Sequence, residues 1–141
     1  MTEIEFHTGV ADVLGFACRL LRKAVRQGVR VQVMAAADRL SALDRSLWTF
    51  DERDFVPHVR MPGTAGTVAA RTPIWLVEAA LGQADAPDVL INVGAALSSW
   101  PPTLARVVEI VANDADEAAA GRERWRQYKA LGLSIKHHAG V

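Results

Sequence analysis

The sequence is poor in the residues that advertise chemistry. It holds one cysteine, Cys18, and one tyrosine, Tyr128, with aromatic residues at only 6%. A lone cysteine excludes an internal disulfide and every multi-cysteine zinc pattern. On the apolar side of a helix it reads as a small core residue rather than a reactive thiol. Net charge is lacking as well. The 16 Lys and Arg balance 16 Asp and Glu, so no global field steers the chain toward nucleic acid or an anionic membrane, and an electrostatic partner must be met by a local patch. No apolar run approaches the ~18 residues of a spanning helix. The opening MTEIEFHTGV has acidic residues where a signal peptide carries basic ones followed by an apolar stretch, which points to a cytoplasmic protein without membrane contact.

Catalytic signatures are missing too. The first strand-to-helix connection, FHTGVADVLG, lacks the G-x-G-x-x-G that lets backbone approach a pyrophosphate, and no G-x-x-x-x-G-K-[ST] occurs. Gly63 and Gly66 follow Pro62 with no lysine behind them, the mark of a flexible turn more than of a phosphate cradle. His7, His58, His137 and His138 have no Asp, Glu, His or Cys at the following i+3 or i+4 position, so no helix face carries a metal pair. His137 and His138 read as solvated residues beside a chain end. Ser41, Ser46, Ser98, Ser99 and Ser134 stand in no nucleophile-elbow context. The expectation is no catalytic residue, no metal and no cofactor.

What is present is a chain of 141 residues, half of them apolar, enough for one core and too short to favour two. IEFHT (4–8) reads as a strand. The following helix has Val10, Val13, Leu14, Ala17, Leu21, Ala24 and Val25 at helical spacing and stops at Gly28. VRVQVMAA (29–36) is a second strand, and Leu40, Leu43 and Leu47 space a second helix ending near Trp48. This βαβα start favours a parallel sheet with right-handed crossovers. The stretch 50–73 is rich in proline and glycine and reads as loop, centred on 59–72. PIWLVE (73–78), DVLINVG (88–94) and RVVEIV (106–111) resume the sheet. A helix over about 114–131 closes the fold, capped by Asn113 or Asp114 and stopped by Gly132. The whole forms one domain, 1–141.

The local patch lies on that last helix, in GRERWRQYKALG (121–132). At about 100° per residue, Arg122, Arg126 and Lys129 fall on one narrow stripe with Trp125 about 60° away. The opposite side carries Ala120, Arg124, Gln127, Tyr128 and Leu131, which makes Leu131 and part of Tyr128 the anchors to the sheet, with Arg124 pairing with an acid or snorkelling. Dipole complementation explains acids at the helix start and bases at its end. It does not require a Trp between arginines. That stripe suits an acidic peptide with an apolar end, guanidinium groups forking onto carboxylates. It equally suits single-stranded nucleic acid stacked on Trp125, and plain structure is a third reading.

LDRSLWTFDERDFVPH (43–58), DVLIN (88–92), VVEIV (107–111) and GRERWRQYKALG together resemble the chi subunit of bacterial DNA polymerase III, almost from end to end. The resemblance implies a single three-layer αβα Rossmann-like domain with a mostly parallel sheet and no nucleotide-binding loop. It implies a non-catalytic accessory subunit of the clamp-loader assembly in DNA replication. One surface would pair with the psi subunit, and another would bind the acidic, Phe-ended C-terminal tail of single-stranded DNA-binding protein, with nucleic acid met mainly indirectly. Carried over, the tail site would use Arg122, Trp125 and Arg126, with Val111 lining it and Lys129 nearby. Ala118 stands where a well-known member has lysine, which removes one charge contact. The psi-facing region would comprise Trp48, Phe55, Val56, Pro57 and His58. Taken without the resemblance, Trp48 and Phe55 read as aromatics that close the core beneath a loop. The rival functions are direct binding of single-stranded nucleic acid and a nucleotide-dependent enzyme on a Rossmann-like sheet.

Overall fold

A computed structural model describes residues 2–49, 56–64, 66–82, 85–96 and 104–139. The chain runs β1 (Glu3–Val10), α1 (Val13–Arg26), β2 (Val31–Met34), α2 (Ala37–Thr49), β3 (His58–Arg60), α3 (Gly66–Arg71), β4 (Ile74–Val77), β5 (Val89–Asn92), β6 (Arg106–Ala112), α4 (Ala115–Ala130) and β7 (Ile135–Ala139). The seven strands form one sheet in the order β3-β4-β2-β5-β6-β1-β7. All six pairings are parallel.

Strands buried on both faces read as near-continuous apolar runs rather than alternating ones, with any buried polar side chain hydrogen-bonded. IWLV of β4 and VQVM of β2 are buried throughout. Successive residues then feed two separate cores. Ile74, Leu76, Val31, Val33 and Ile110 pack with Phe16 and Leu21 of α1 and with Leu40, Leu43 and Leu47 of α2. Trp75, Val77, Ile4, Phe6 and Val111 pack on the other face with Ala69 of α3 and Tyr128 of α4. The result is the three-layer αβα arrangement, with a sheet that is parallel throughout. Cys18 belongs to the first core at 1% exposure, where burial pushes its thiol up to about 11. No helix among the described residues is long and apolar enough to cross a membrane.

Several sequence expectations shift. Val10 ends β1 instead of opening α1, because Asp12 caps the helix by accepting from the Gly15 N–H at 3.0 Å. The presumed loop 59–72 contains most of β3 and all of α3. Its order comes from Trp75, fully buried beneath α3, whose indole N–H donates to the Ala69 carbonyl at 2.8 Å. The tail read as solvated is β7, whose backbone pairs with β1 from Ile135 to Ala139 while His137 and His138 stay exposed.

A buried side chain ties the link from β4 to β5 to the sheet, beside an exposed hydrogen bond from Arg30 to the Asp85 carbonyl at 2.7 Å. Gln32, fully buried on β2, donates from Nε2 to the carbonyls of Leu81 and Pro87 at 2.7 and 2.9 Å and accepts from the Leu81 N–H at 2.7 Å. Gln32→Leu keeps the volume and strands three backbone groups. We expect a loss of about 1–3 kcal/mol per group left unsatisfied, read as a lower urea midpoint at unchanged m-value. A midpoint equal to that of the wild type would show that the connection is held by other contacts.

Candidate functional site

Helix α4 leaves β6 through a short turn capped by Asp114, whose Oδ2 accepts from the Glu117 N–H at 3.1 Å. Asp116 and Glu117 fill its first turn and Lys129 its last, in the sense the helix dipole favours. The residues it buries fully are Gly121, Arg124 and Tyr128, a stripe at i, i+3 and i+7 turned to the sheet.

Beneath that stripe lies Glu109, at 0% exposure in the middle of β6. Arg124 Nε donates to its Oε1 at 2.9 Å; the Tyr128 hydroxyl and Asn92 Nδ2 donate to its Oε2 at 2.6 and 3.1 Å. Burial pushes the Glu109 carboxyl above its ordinary value, opposed first by the charge of Arg124. Burial, together with that neighbouring carboxylate, raises the Tyr128 phenol far beyond its usual range. Tyr128 is therefore a fixed donor at working pH. Arg124 Nη2 is buried without a hydrogen-bond partner among the described residues, so the cluster carries a desolvation cost along with its attraction. A second tie comes from Arg39 of α2. It reaches over the end of β5, donating to the Val93 carbonyl at 2.9 Å and to Glu117 Oε1 at 2.7 Å. Gly94, at φ +84°, makes room for it; a Cβ there would lie 2.4 Å from Arg39 Nη1.

With Arg124 and Tyr128 pinned inward, the neighbouring stripe of α4 faces a cleft of about 580 Å³ at the C-terminal ends of β1 and β6. Phe6, Val111, Gly121, Ala118 and Trp125 form its apolar part; Thr8, Gly9, Ala112, Asn113 and His137 border it; Arg122 and Arg126 stand at its rim. Trp125 is half-buried, its ring tilted on Phe6 at 4.9 Å and edge-on to His137 at 5.3 Å. Thr8 Oγ1 and His137 Nε2 share a 2.7 Å hydrogen bond. Arg126 pairs with Glu123 at 2.8 Å, with both side chains more than half exposed, an interaction worth about 0–1 kcal/mol that a bound anion can displace.

The structure brings Arg122, Trp125, Arg126 and Val111 into one cleft. Lys129 is exposed in the last turn and lies outside the lining. Leu131 is 64% exposed and anchors nothing, because the helix ends at Ala130 and Glu109 claims Arg124 and Tyr128 instead. Sequence reasoning missed Gly121 and His137. A glycine in mid-helix beside arginines was the available signal for the first, whereas His137 enters only through strand pairing. At the other end of the sheet, Trp48 is 59% exposed, a correction to its reading as a core residue. Its ring lies 5.1 Å from that of His58, whose Nε2 and Nδ1 are 2.7 Å from Asp44 Oδ1 and the Val56 carbonyl. Val56 is buried and Pro57 half-buried, and Phe55 lies outside the described residues.

Two substitutions probe this framework. Glu109→Leu leaves Arg124 as an uncompensated buried charge and should cost about 3–5 kcal/mol in chemical denaturation, whereas Glu109→Leu combined with Arg124→Met should recover most of it. Equal losses in the single and double variants would show that the pair does not hold the helix. A Cβ at position 121 would lie 2.8 Å from Val111 Cγ1. Gly121→Ala should therefore displace α4, its overpacking cost of about 1–3 kcal/mol exceeding the roughly 1 kcal/mol gained in helix propensity. The indole N–H resonance of Trp125 should move; an unshifted resonance with raised stability would show that the approach has slack.

Residues 1–136 match the family model described as the DNA polymerase III chi subunit, HolC. A DNA polymerase III subunit chi from Pseudomonas aeruginosa is 32% identical, over 98% of this chain and 96% of that protein. The same-named subunit of Escherichia coli K12 is 25% identical, over 90% of this chain and 85% of its own length. The cleft and its arginine-flanked aromatic thus sit in a replication-polymerase component: the chain belongs to the DNA polymerase III chi subunit family.

Proposed function

We propose that the protein is a non-catalytic accessory subunit that links the clamp loader, through the psi subunit, to the acidic C-terminal tail of single-stranded DNA-binding protein. The observation that carries this reading is an apolar cleft with two exposed arginines at its rim. A chain end with a large apolar side chain would fill the space between Phe6, Val111 and Trp125, and its carboxylate would meet Arg122 and Arg126. Upstream acidic residues would meet the remaining field, including that of Lys129 farther along the helix. Direct binding of single-stranded nucleic acid fits less well. Base stacking needs an open aromatic face, and Trp125 is half-buried between Phe6 and His137.

The psi-facing surface in this reading centres on Trp48, with Val56, Pro57 and His58 supporting it and Phe55 following in sequence. A large exposed aromatic on a folded domain favours a partner surface. The Trp48 ring lies tilted beside that of His58, which pairs with Ile74 at the start of β4, on the β3 edge of the sheet. The cleft lies at the ends of β1 and β6, toward the opposite edge. Two partners at such separated places can be held at once, as a linker requires.

Fluorescence anisotropy with a labelled acidic peptide ending in Phe should give micromolar-scale affinity that weakens with added salt. Trp125→Ala or Arg126→Ala should lower it at least tenfold, and amidation of the peptide terminus should weaken it as well. Affinity untouched by both substitutions rejects the cleft as the tail site. Tighter binding of an oligonucleotide that the peptide cannot displace favours the nucleic-acid reading.

A further inference from the structure

On the sheet face opposite the cleft, β1 and β7 gather three metal-ligating side chains. His7 and His138 are register partners on neighbouring parallel strands, and Glu5 lies two residues before His7, so all three project from one face. Glu5 Oε1 is 3.0 Å from His7 Nε2 and 3.1 Å from His138 Nε2, and the three ligand atoms lie within 4.8 Å of one another. We propose that Glu5, His7 and His138 form a binding site for a divalent transition ion such as Zn²⁺, with the remaining coordination positions open to water.

Two imidazoles and one carboxylate form a donor set that Zn²⁺ accepts, and tetrahedral ligands at 2.0–2.1 Å from the ion stand about 3.4 Å apart. The observed separations from Glu5 need to open by only a few tenths of an ångström. Arg106 Nη2 donates to Glu5 Oε2, which leaves Oε1 directed at the imidazoles, as outer-shell partners of metal-binding carboxylates do. The Arg106 charge also opposes the ion and sets a limit on affinity. The two imidazole rings stack at 4.7 Å with an interplanar angle of 12°, an arrangement in which both lone pairs cannot point to one ion. His138 must turn out of the stack, and its side chain, 49% exposed, has the room; His7 and Glu5, at 13% and 17%, form the fixed part of the site. The spacing that identifies such a site is i, i+2 on one strand plus a register partner, which a search along helix faces passes over.

An ion there would tie the edge strand β7 to β1, behind the strand that presents His137 to the cleft. Calorimetric titration of the chelator-treated full chain with ZnCl₂ alone should give one saturable site. Long-range ¹H–¹⁵N spectra should show the nitrogens of His7 and His138 shifting while those of His58 stay in place. Glu5→Gln and His138→Ala should each reduce affinity at least tenfold. His138 lies on an exposed edge, and an unchanged far-ultraviolet circular dichroism spectrum verifies that its variant folds. Heat that never saturates, or Zn²⁺ affinity equal to the wild type in both variants, overturns the site.

Discussion

A carboxylate at the centre of a sheet decides how the last helix is turned. Glu109 is wholly enclosed, and its oxygens are met by Arg124 and Tyr128 from α4 and by Asn92 from β5. Apolar packing alone specifies a helix rotation loosely, since a ring and an aliphatic chain can slide over one another. Directional bonds to a fixed buried charge cannot slide, and breaking one strands a partner in a low-dielectric interior. Gly121 completes the constraint by letting the helix axis settle directly on Val111. The contribution of α4 to the cleft follows from that rotation. Arg122 and Arg126 are carried to the rim, and Trp125 is left half inside.

The cleft occupies the end of a parallel sheet where strands give way to connections, the usual place for recognition in α/β folds. Here the sequence carries no glycine-rich phosphate-binding motif, and the groups of α4 that line the cleft come from the helix flank instead of its N-terminus. That N-terminus is occupied by Asp114, Asp116 and Glu117, which disfavour a phosphate there. The surface around Trp48 lies by the β3 edge of the sheet, whereas the cleft draws on β6, β1 and β7 toward the other edge.

Much of this architecture is legible in the sequence. Uninterrupted apolar tetrapeptides such as IWLV need two covered faces, and helices with one apolar stripe supply the covers. The alignment of Arg122, Trp125 and Arg126 followed from helical periodicity alone. The misreadings share a cause. Glu109 sits in RVVEIV, where a single acid in an apolar strand gives no sign that its partners are fifteen and nineteen residues away. The pairing of Arg124 with an acid is foreseeable and is found in Glu109, whereas Leu131 reads as an anchor by hydrophobicity alone and lies past the end of α4, exposed. The polar strand β7, IKHHA, carries no alternating apolar pattern, and only the free edge of β1 gives it a place. Proline and glycine in 59–72 masked β3 and α3, whose order depends on a tryptophan farther along the chain.

The position of β1 has a consequence for how the molecule comes into being. Glu3 pairs with Arg106, and Ile4 with Ile135, so the first strand is flanked on both sides by the last two. While the chain emerges from the ribosome, β1 has no neighbour, and the middle strands β2, β3, β4 and β5 can assemble without it. Contacts of such long sequence separation form late and slowly. The cleft draws Phe6 and Thr8 from the first part of the chain and Val111, Trp125 and His137 from the last. A nascent chain that stops short of β6 therefore has a partial sheet and no cleft, which ties the cleft to completed synthesis.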